Sequence, residues 1–116
     1  LGMSLNPTTG LPSLGNGGGG LSGRSVHPIA VRAIYEVAAN VPDLPIVGAG
    51  GVTCGWEAIE LMLAGASAVQ VGTASFAEPR AMSRIQREMN AWAKRHDVND
   101  WSEIVGLAHR GGISAL

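Results

Sequence analysis

Glycines carry the pattern in this chain that could do chemistry. Gly48, Gly50 and Gly51 close the apolar stretch Leu44-Pro45-Ile46-Val47-Gly48-Ala49-Gly50-Gly51-Val52. Gly72 and Thr73 follow a second run, Ala66-Ser67-Ala68-Val69-Gln70-Val71. A phosphate resting on a backbone turn needs N–H groups aimed at it and no Cβ in its path, which Gly50, Gly51 and Gly72 allow. A helical pattern follows each turn and adds the positive end of its dipole. Thr73 offers a hydroxyl beside its N–H at the same place. Glycines that end a parallel strand also serve as plain tight turns, and one Gly-x-Gly-Gly is weak evidence for a ligand. Two such turns in succession, with a third glycine cluster at Gly15 to Gly20, favour the ligand.

Other reactive side chains stand alone. Cys54 falls at a helix start, where a thiol's pKa drops, yet a small capping or buried residue is the better reading. His27 and His109 have no Cys, Asp or second His at ligand spacing, so no metal site is expected. Arg24 follows Leu21-Ser22-Gly23 and is within reach of a phosphate there; a solvated surface role is the simpler expectation.

The elements that must position these residues follow from apolar spacing. Runs too short for a helix and bounded by Pro45 and Gly48 read as buried parallel strands, at Pro45 to Val47 and again at Ala66 to Val71. Val26, Ile29, Ala30, Ala33, Ile34, Val37 and Ala38 predict a helix from Ser25, with Pro28 in its first turn, ending near Asn40 before Pro42. A second helix is expected from Thr53 or Cys54, with Glu57 reaching back as a capping-box partner, Ala58, Ile59, Met62 and Leu63 buried, and Gly65 as its stop. A third follows Pro79, burying Met82, Ile85, Met89 and Trp92, with Arg84, Arg87, Glu88 and Lys94 on the opposite face. A fourth begins at Asp100, capped with Glu103, and buries Trp101, Ile104, Val105 and Ala108. Upstream, Asn6-Pro7-Thr8-Thr9-Gly10 predicts the turn of a small hairpin within Gly2 to Leu14. The run Gly15-Asn16-Gly17-Gly18-Gly19-Gly20 reads as a flexible linker or, beside a helix start, as a loop wrapping a bound group.

The class is therefore α/β with parallel strands. Two strands make no stable sheet alone, so partners are expected from outside this stretch. The 116 residues suffice for a modest core, and 46% hydrophobic with 15% charged residues argues for a globular chain. A net charge of −1 with no basic run argues against nucleic acid or an anionic membrane as partner. No apolar run approaches a membrane span, and no basic segment leads into an apolar one as in a signal peptide. A single cysteine suits a reducing cytoplasm. The chain opens on Leu1-Gly2-Met3, as if cut from a longer protein.

Longer motifs give a resemblance. Gly19-Gly20-Leu21-Ser22-Gly23, His27-Pro28-Ile29-Ala30, Tyr35-Glu36-Val37, Pro45 to Val52, Ala64 to Ala74 and Gly106-Leu107-Ala108-His109 resemble the dihydroorotate dehydrogenases, in order and over nearly the whole chain. The resemblance implies an FMN-binding (β/α)8 TIM barrel, of which residues 1–116 form the C-terminal part: about the last two βα units plus the terminal helices. A whole barrel takes about 250 residues, and the loops after its last two strands often hold a phosphate. Carried over residue by residue, the FMN contacts are Gly23, Gly50, Gly51, Gly72 and Thr73. The implied activity is oxidation of dihydroorotate to orotate in pyrimidine (UMP) biosynthesis. The family's cysteine base, its flavin-contacting lysine and its substrate-binding asparagines would lie upstream of Leu1, so this segment is expected to hold no catalytic group and to be inactive alone.

Val71-Gly72-Thr73-Ala74-Ser75-Phe76 resembles the soluble class that passes electrons to NAD through a partner subunit carrying FAD and a 2Fe-2S cluster, which implies an oligomer. Alternatives are the similar flavin barrel of a dihydropyrimidine dehydrogenase, a phosphate-binding barrel module without redox activity, and a gene fragment without function.

Overall fold

The computed structural model describes all 116 residues. The chain opens in a long antiparallel hairpin, β1 (Gly2–Met3) against β2 (Gly18–Gly19), with Gly2 opposite Gly19 and Met3 opposite Gly18. The expected turn at its tip is present: the Asn6 Oδ1 accepts from the Thr8 N–H at 2.8 Å, and Gly10 closes it with φ +71°. The glycine run, however, is not a flexible linker. Its second half is the returning arm, and a Cβ on Gly19 would lie 2.7 Å from Leu14 Cδ1.

A single turn of 3-10 helix, Arg24–Val26, leads into α1 (His27–Asn40), with Pro28 in the first turn as expected. Ile34 is buried and Ala30 packs on the core, but Ile29 points to solvent. β3 (Val47–Ala49) and β4 (Ala68–Gln70) then pair in parallel, Val47 with Ala68, Gly48 with Val69 and Ala49 with Gln70. β3 lies two residues later than the expected Pro45 to Val47, so Pro45 and Ile46 precede it and Gly48 lies inside the strand rather than in the turn. Its reason is packing: a Cβ there would fall 2.9 Å from Ile34 Cδ1 and 3.0 Å from Ala66 Cβ.

Between the strands runs α2 (Gly55–Ala64), ended by Gly65 at φ +135°. It is apolar on nearly every side because it joins two cores. Ala58 and Leu61 pack with Ile34, Val52, Ala66 and Ile85, while Ile59 and Met62 pack with Trp92, Ile104 and Leu107. After β4 come a short α3 (Ala74–Ala77) and α4 (Ala81–Arg95), which buries Ile85 and Trp92 but leaves Met82 exposed, contrary to expectation.

The expected fourth helix is replaced by three 3-10 pieces, Trp101–Glu103, Leu107–His109 and Gly112–Ala115. The Asp100–Glu103 capping box forms, yet Gly106 and Gly111 adopt left-handed backbone and break the helix. Ile104 is buried as expected and Trp101 and Val105 are half-buried, whereas Ala108 is exposed and Leu107 is buried in its place. With only two strands paired, the sheet keeps both edges open, and Val47 is exposed on β3.

Candidate functional site

The loops leaving β3 and β4 end side by side. After β3, Gly50 and Gly51 both take positive φ, +128° and +67°. A Cβ on Gly51 would lie 2.7 Å from the Gly23 carbonyl oxygen and 2.7 Å from His27 Cβ. One on Gly50 would lie 2.8 Å from Ala30 Cβ. At these two positions the missing side chain makes room for α1 and its preceding turn, not for a ligand. Gly72 is the opposite case: nothing lies within 4 Å of its Cβ direction, and the residue is exposed.

A cavity of about 200 Å³ opens at this point, lined by Gly23, Arg24, Gly51, Thr53, Gly72 and Thr73 among others. A larger hollow of about 500 Å³ shares Gly72 and Thr73 and continues past Ser22, Ala49, Gly50 and Gln70. The structure thus brings together all five glycine and threonine positions singled out in the sequence. Ser75 fixes the second turn, donating to the Gly72 carbonyl from its N–H at 3.0 Å and from its hydroxyl at 2.6 Å.

Charge at the cavity comes from Arg24, whose side chain is 76% exposed with Nε 3.4 Å from Glu57 Oε1. Glu57 is buried and accepts from the Thr53 N–H at 2.6 Å and the Thr53 hydroxyl at 2.7 Å. The reach-back expected of Glu57 therefore goes to Thr53, one residue before the helix cap. Burial pushes the Glu57 carboxyl up, but the two Thr53 bonds with the charges of His27 and Arg24 outweigh it and hold the pKa below the ordinary value.

Arg84 and Glu88 were expected on a solvated face of α4, and the structure corrects this. The Arg84 guanidinium donates to the Thr53 carbonyl at 2.8 Å, to Glu88 at 2.8 Å and to both oxygens of Glu78. Glu88 in turn accepts from the Gly55 N–H at 2.6 Å, which caps α2 from another helix. Hydrogen bonds from Arg84 hold Glu78, and those from Gly55 and Arg84 hold Glu88, below the usual carboxylate range. The loop after β3 is thereby clasped by α4.

Cys54 is the N-cap of α2, partly buried and without a side-chain capping bond. His27 is buried, with Nδ1 2.8 Å from the Gly50 carbonyl and Nε2 2.8 Å from Glu60. His109 stacks on Tyr35 and reaches the Ala64 carbonyl at 2.9 Å, pinning the C-terminal turns to α1 and α2. Sequence spacing alone missed Arg84, Glu88 and His27, whose partners lie 31, 33 and 23 residues away in the chain.

Comparison with known proteins points to one family. The family model described as dihydroorotate dehydrogenase matches residues 2–92. A putative dihydroorotate dehydrogenase A (fumarate) from Aquifex aeolicus is 44% identical over 95% of this chain and 36% of its own length. The catalytic subunit of dihydroorotate dehydrogenase B (NAD(+)) from Citrifermentans bemidjiense is 46% identical over 90% of this chain and 34% of its own. The chain thus spans about a third of the length of the curated relatives it matches. Among solved structures, DHODH from Eimeria tenella in complex with ferulenol superimposes with a TM-score of 0.76 at 24% identity, over 94% of this chain and 30% of that one. The ligand-free form gives 0.75 at 28% identity, over 79% and 26%. These neighbours are TIM barrels, so the two parallel strands and their helices are part of a (β/α)8 barrel. The chain belongs to the dihydroorotate dehydrogenase family.

Proposed function

We infer that the full-length protein oxidises dihydroorotate to orotate with bound FMN, in pyrimidine biosynthesis, and that this segment supplies the cradle for the FMN phosphate. The observation that carries the reading is the convergence of both strand-end loops on one cavity at Gly72, where the Cβ direction is open. A phosphate suits this site: Gly72, Thr73 and Arg24 line it, residues that can offer backbone amides, a hydroxyl and a guanidinium. Gly23 and Gly51 form its opposite wall, and Gly50 borders the larger hollow into which the rest of the cofactor extends. When bound, FMN supplies the hydride acceptor; this chain's share is binding and orientation.

Membership of the NAD-linked class, with a partner subunit carrying FAD and a 2Fe-2S cluster, is supported by the Val71 to Phe76 turn. Several relatives named as B-type catalytic subunits also support it, and the Aquifex relative carries the fumarate name at similar identity. No helix is long and apolar enough to cross a membrane, which is compatible with a cytoplasmic enzyme.

Anaerobic addition of dihydroorotate to the purified full-length protein tests the reading. The flavin absorbance near its visible maximum should bleach stoichiometrically, with NAD+ reduction appearing only with the partner subunit present. A protein without flavin, or one whose flavin stays oxidised, would contradict it.

A further inference from the structure

Of the groups that the proposed cradle does not use directly, His27 is the most constrained. It is 7% exposed, and both ring nitrogens are engaged, Nδ1 with the Gly50 carbonyl and Nε2 with Glu60 Oε2, each at 2.8 Å. The Gly50 carbonyl can only accept, so His27 Nδ1 carries the hydrogen in that bond. The contact with Glu60 ties His27 to α2, and the bond to Gly50 reaches into the turn after β3. His27 therefore ties the start of α1 to α2 and to the turn at once.

The turn needs such a restraint. Gly50 and Gly51 are free of Cβ sterics and could adopt many backbone states, and each bond that fixes their peptides opposes that entropy. The Gly51 backbone lies against the His27 main chain, where an added Cβ would be 2.9 Å from the His27 nitrogen. Fixing the Gly50 carbonyl fixes the Gly50–Gly51 peptide plane, and with it the direction of the Gly51 N–H at the cavity wall.

We propose that His27 is a positioning residue for the cofactor: its Nδ1–H holds the Gly50 carbonyl so that the Gly50–Gly51 turn is set before FMN arrives. The proposal rests on the reading of the cavity as the FMN site. A merely structural role would depend on filling the space and pairing with Glu60. The positioning role depends on a donor at the δ position, and that difference separates the two.

The test uses the full-length apoprotein, with FMN affinity read by quenching of flavin fluorescence and Tm read without FMN. His27→Asn keeps an amide nitrogen at the δ position, and His27→Gln places one only at the ε position. His27→Ala and His27→Gln should each weaken FMN binding by roughly tenfold or more, the worth of one lost hydrogen bond in a buried turn. His27→Asn should stay within about threefold of the unaltered protein despite losing Glu60, and Glu60→Gln, on the half-exposed partner, should do the same. Tight FMN binding by His27→Ala or His27→Gln would overturn the proposal, as would equal losses in His27→Asn or in Glu60→Gln. An unaltered protein that binds no FMN would instead remove the cofactor reading, and this proposal with it.

Discussion

Alanine at Gly51 and at Gly72 should separate what the fold needs from what the ligand needs. At Gly51, with φ +67°, a Cβ would sit 2.7 Å from the Gly23 carbonyl oxygen, 2.7 Å from His27 Cβ and 2.9 Å from the His27 nitrogen. These are backbone and Cβ atoms, which cannot swing aside as the end of a long side chain can. Left-handed backbone costs a non-glycine residue about 1–2 kcal/mol. Overpacking against rigid neighbours typically adds about 1–3 kcal/mol. Gly51→Ala should therefore cost the full-length protein about 2–5 kcal/mol, a fall in Tm on the order of 5–15 °C for a barrel of ordinary size. At Gly72 nothing lies within 4 Å of the Cβ direction, so alanine or valine should change stability by no more than about 0.5 kcal/mol. Gly72 lines both cavities, so a side chain there is expected to crowd a phosphate bound between them. Gly72→Ala should lower FMN affinity, and Gly72→Val should abolish FMN retention through purification. Calorimetry of the apoproteins and flavin stoichiometry of the purified variants are the assays. A Gly72→Val protein that stays yellow with full flavin, or a Gly51→Ala protein that melts within a degree of the unaltered one, would refute the reasoning.

Cys54→Ser in the full-length protein should keep most of its turnover, because Cys54 is the N-cap of α2 and serine caps a helix well; a hundredfold loss with flavin still bound would make the thiol catalytic. Acid should destabilise the fold in a definite window. Glu57, Glu78 and Glu88 have folded pKa values below 4.5, so their contribution is fully present above 4.5 and is lost as pH falls through the lowered folded values. Tm should fall as pH drops below about 4.5, less steeply in Glu57→Gln. A Tm that rises on acidification below 4.5, or an unchanged slope in Glu57→Gln, would count against the Thr53–Glu57 clasp.

Much of the site was legible because its signals are local. The Gly50-Gly51 and Gly72-Thr73 turns each follow an apolar run within the same few residues, and the bounds of α1 follow from Pro28 and Pro42. What escaped depends on neighbours distant in the chain. Gly48 reads as a turn residue until Ile34 and Ala66 are seen against it. Arg84 and Glu88 sit four apart on a polar helix face, the ordinary mark of a solvated pair, yet they bind the backbone of the Thr53–Gly55 loop. The spacing of Trp101, Ile104 and Val105 fits a continuous helix as well as successive 3-10 turns. Only the left-handed Gly106 decides between them.

The central claim is that the cavity at Gly72 recognises a phosphate, and the comparison of FMN with riboflavin tests it most directly, since the two differ by that group alone. On this account the full-length apoprotein binds FMN at least about a hundredfold more tightly than riboflavin, about 2.7 kcal/mol, and Gly72→Val brings the ratio close to one. Equal affinity for the two flavins, or a preference for FMN that survives Gly72→Val intact, would contradict it.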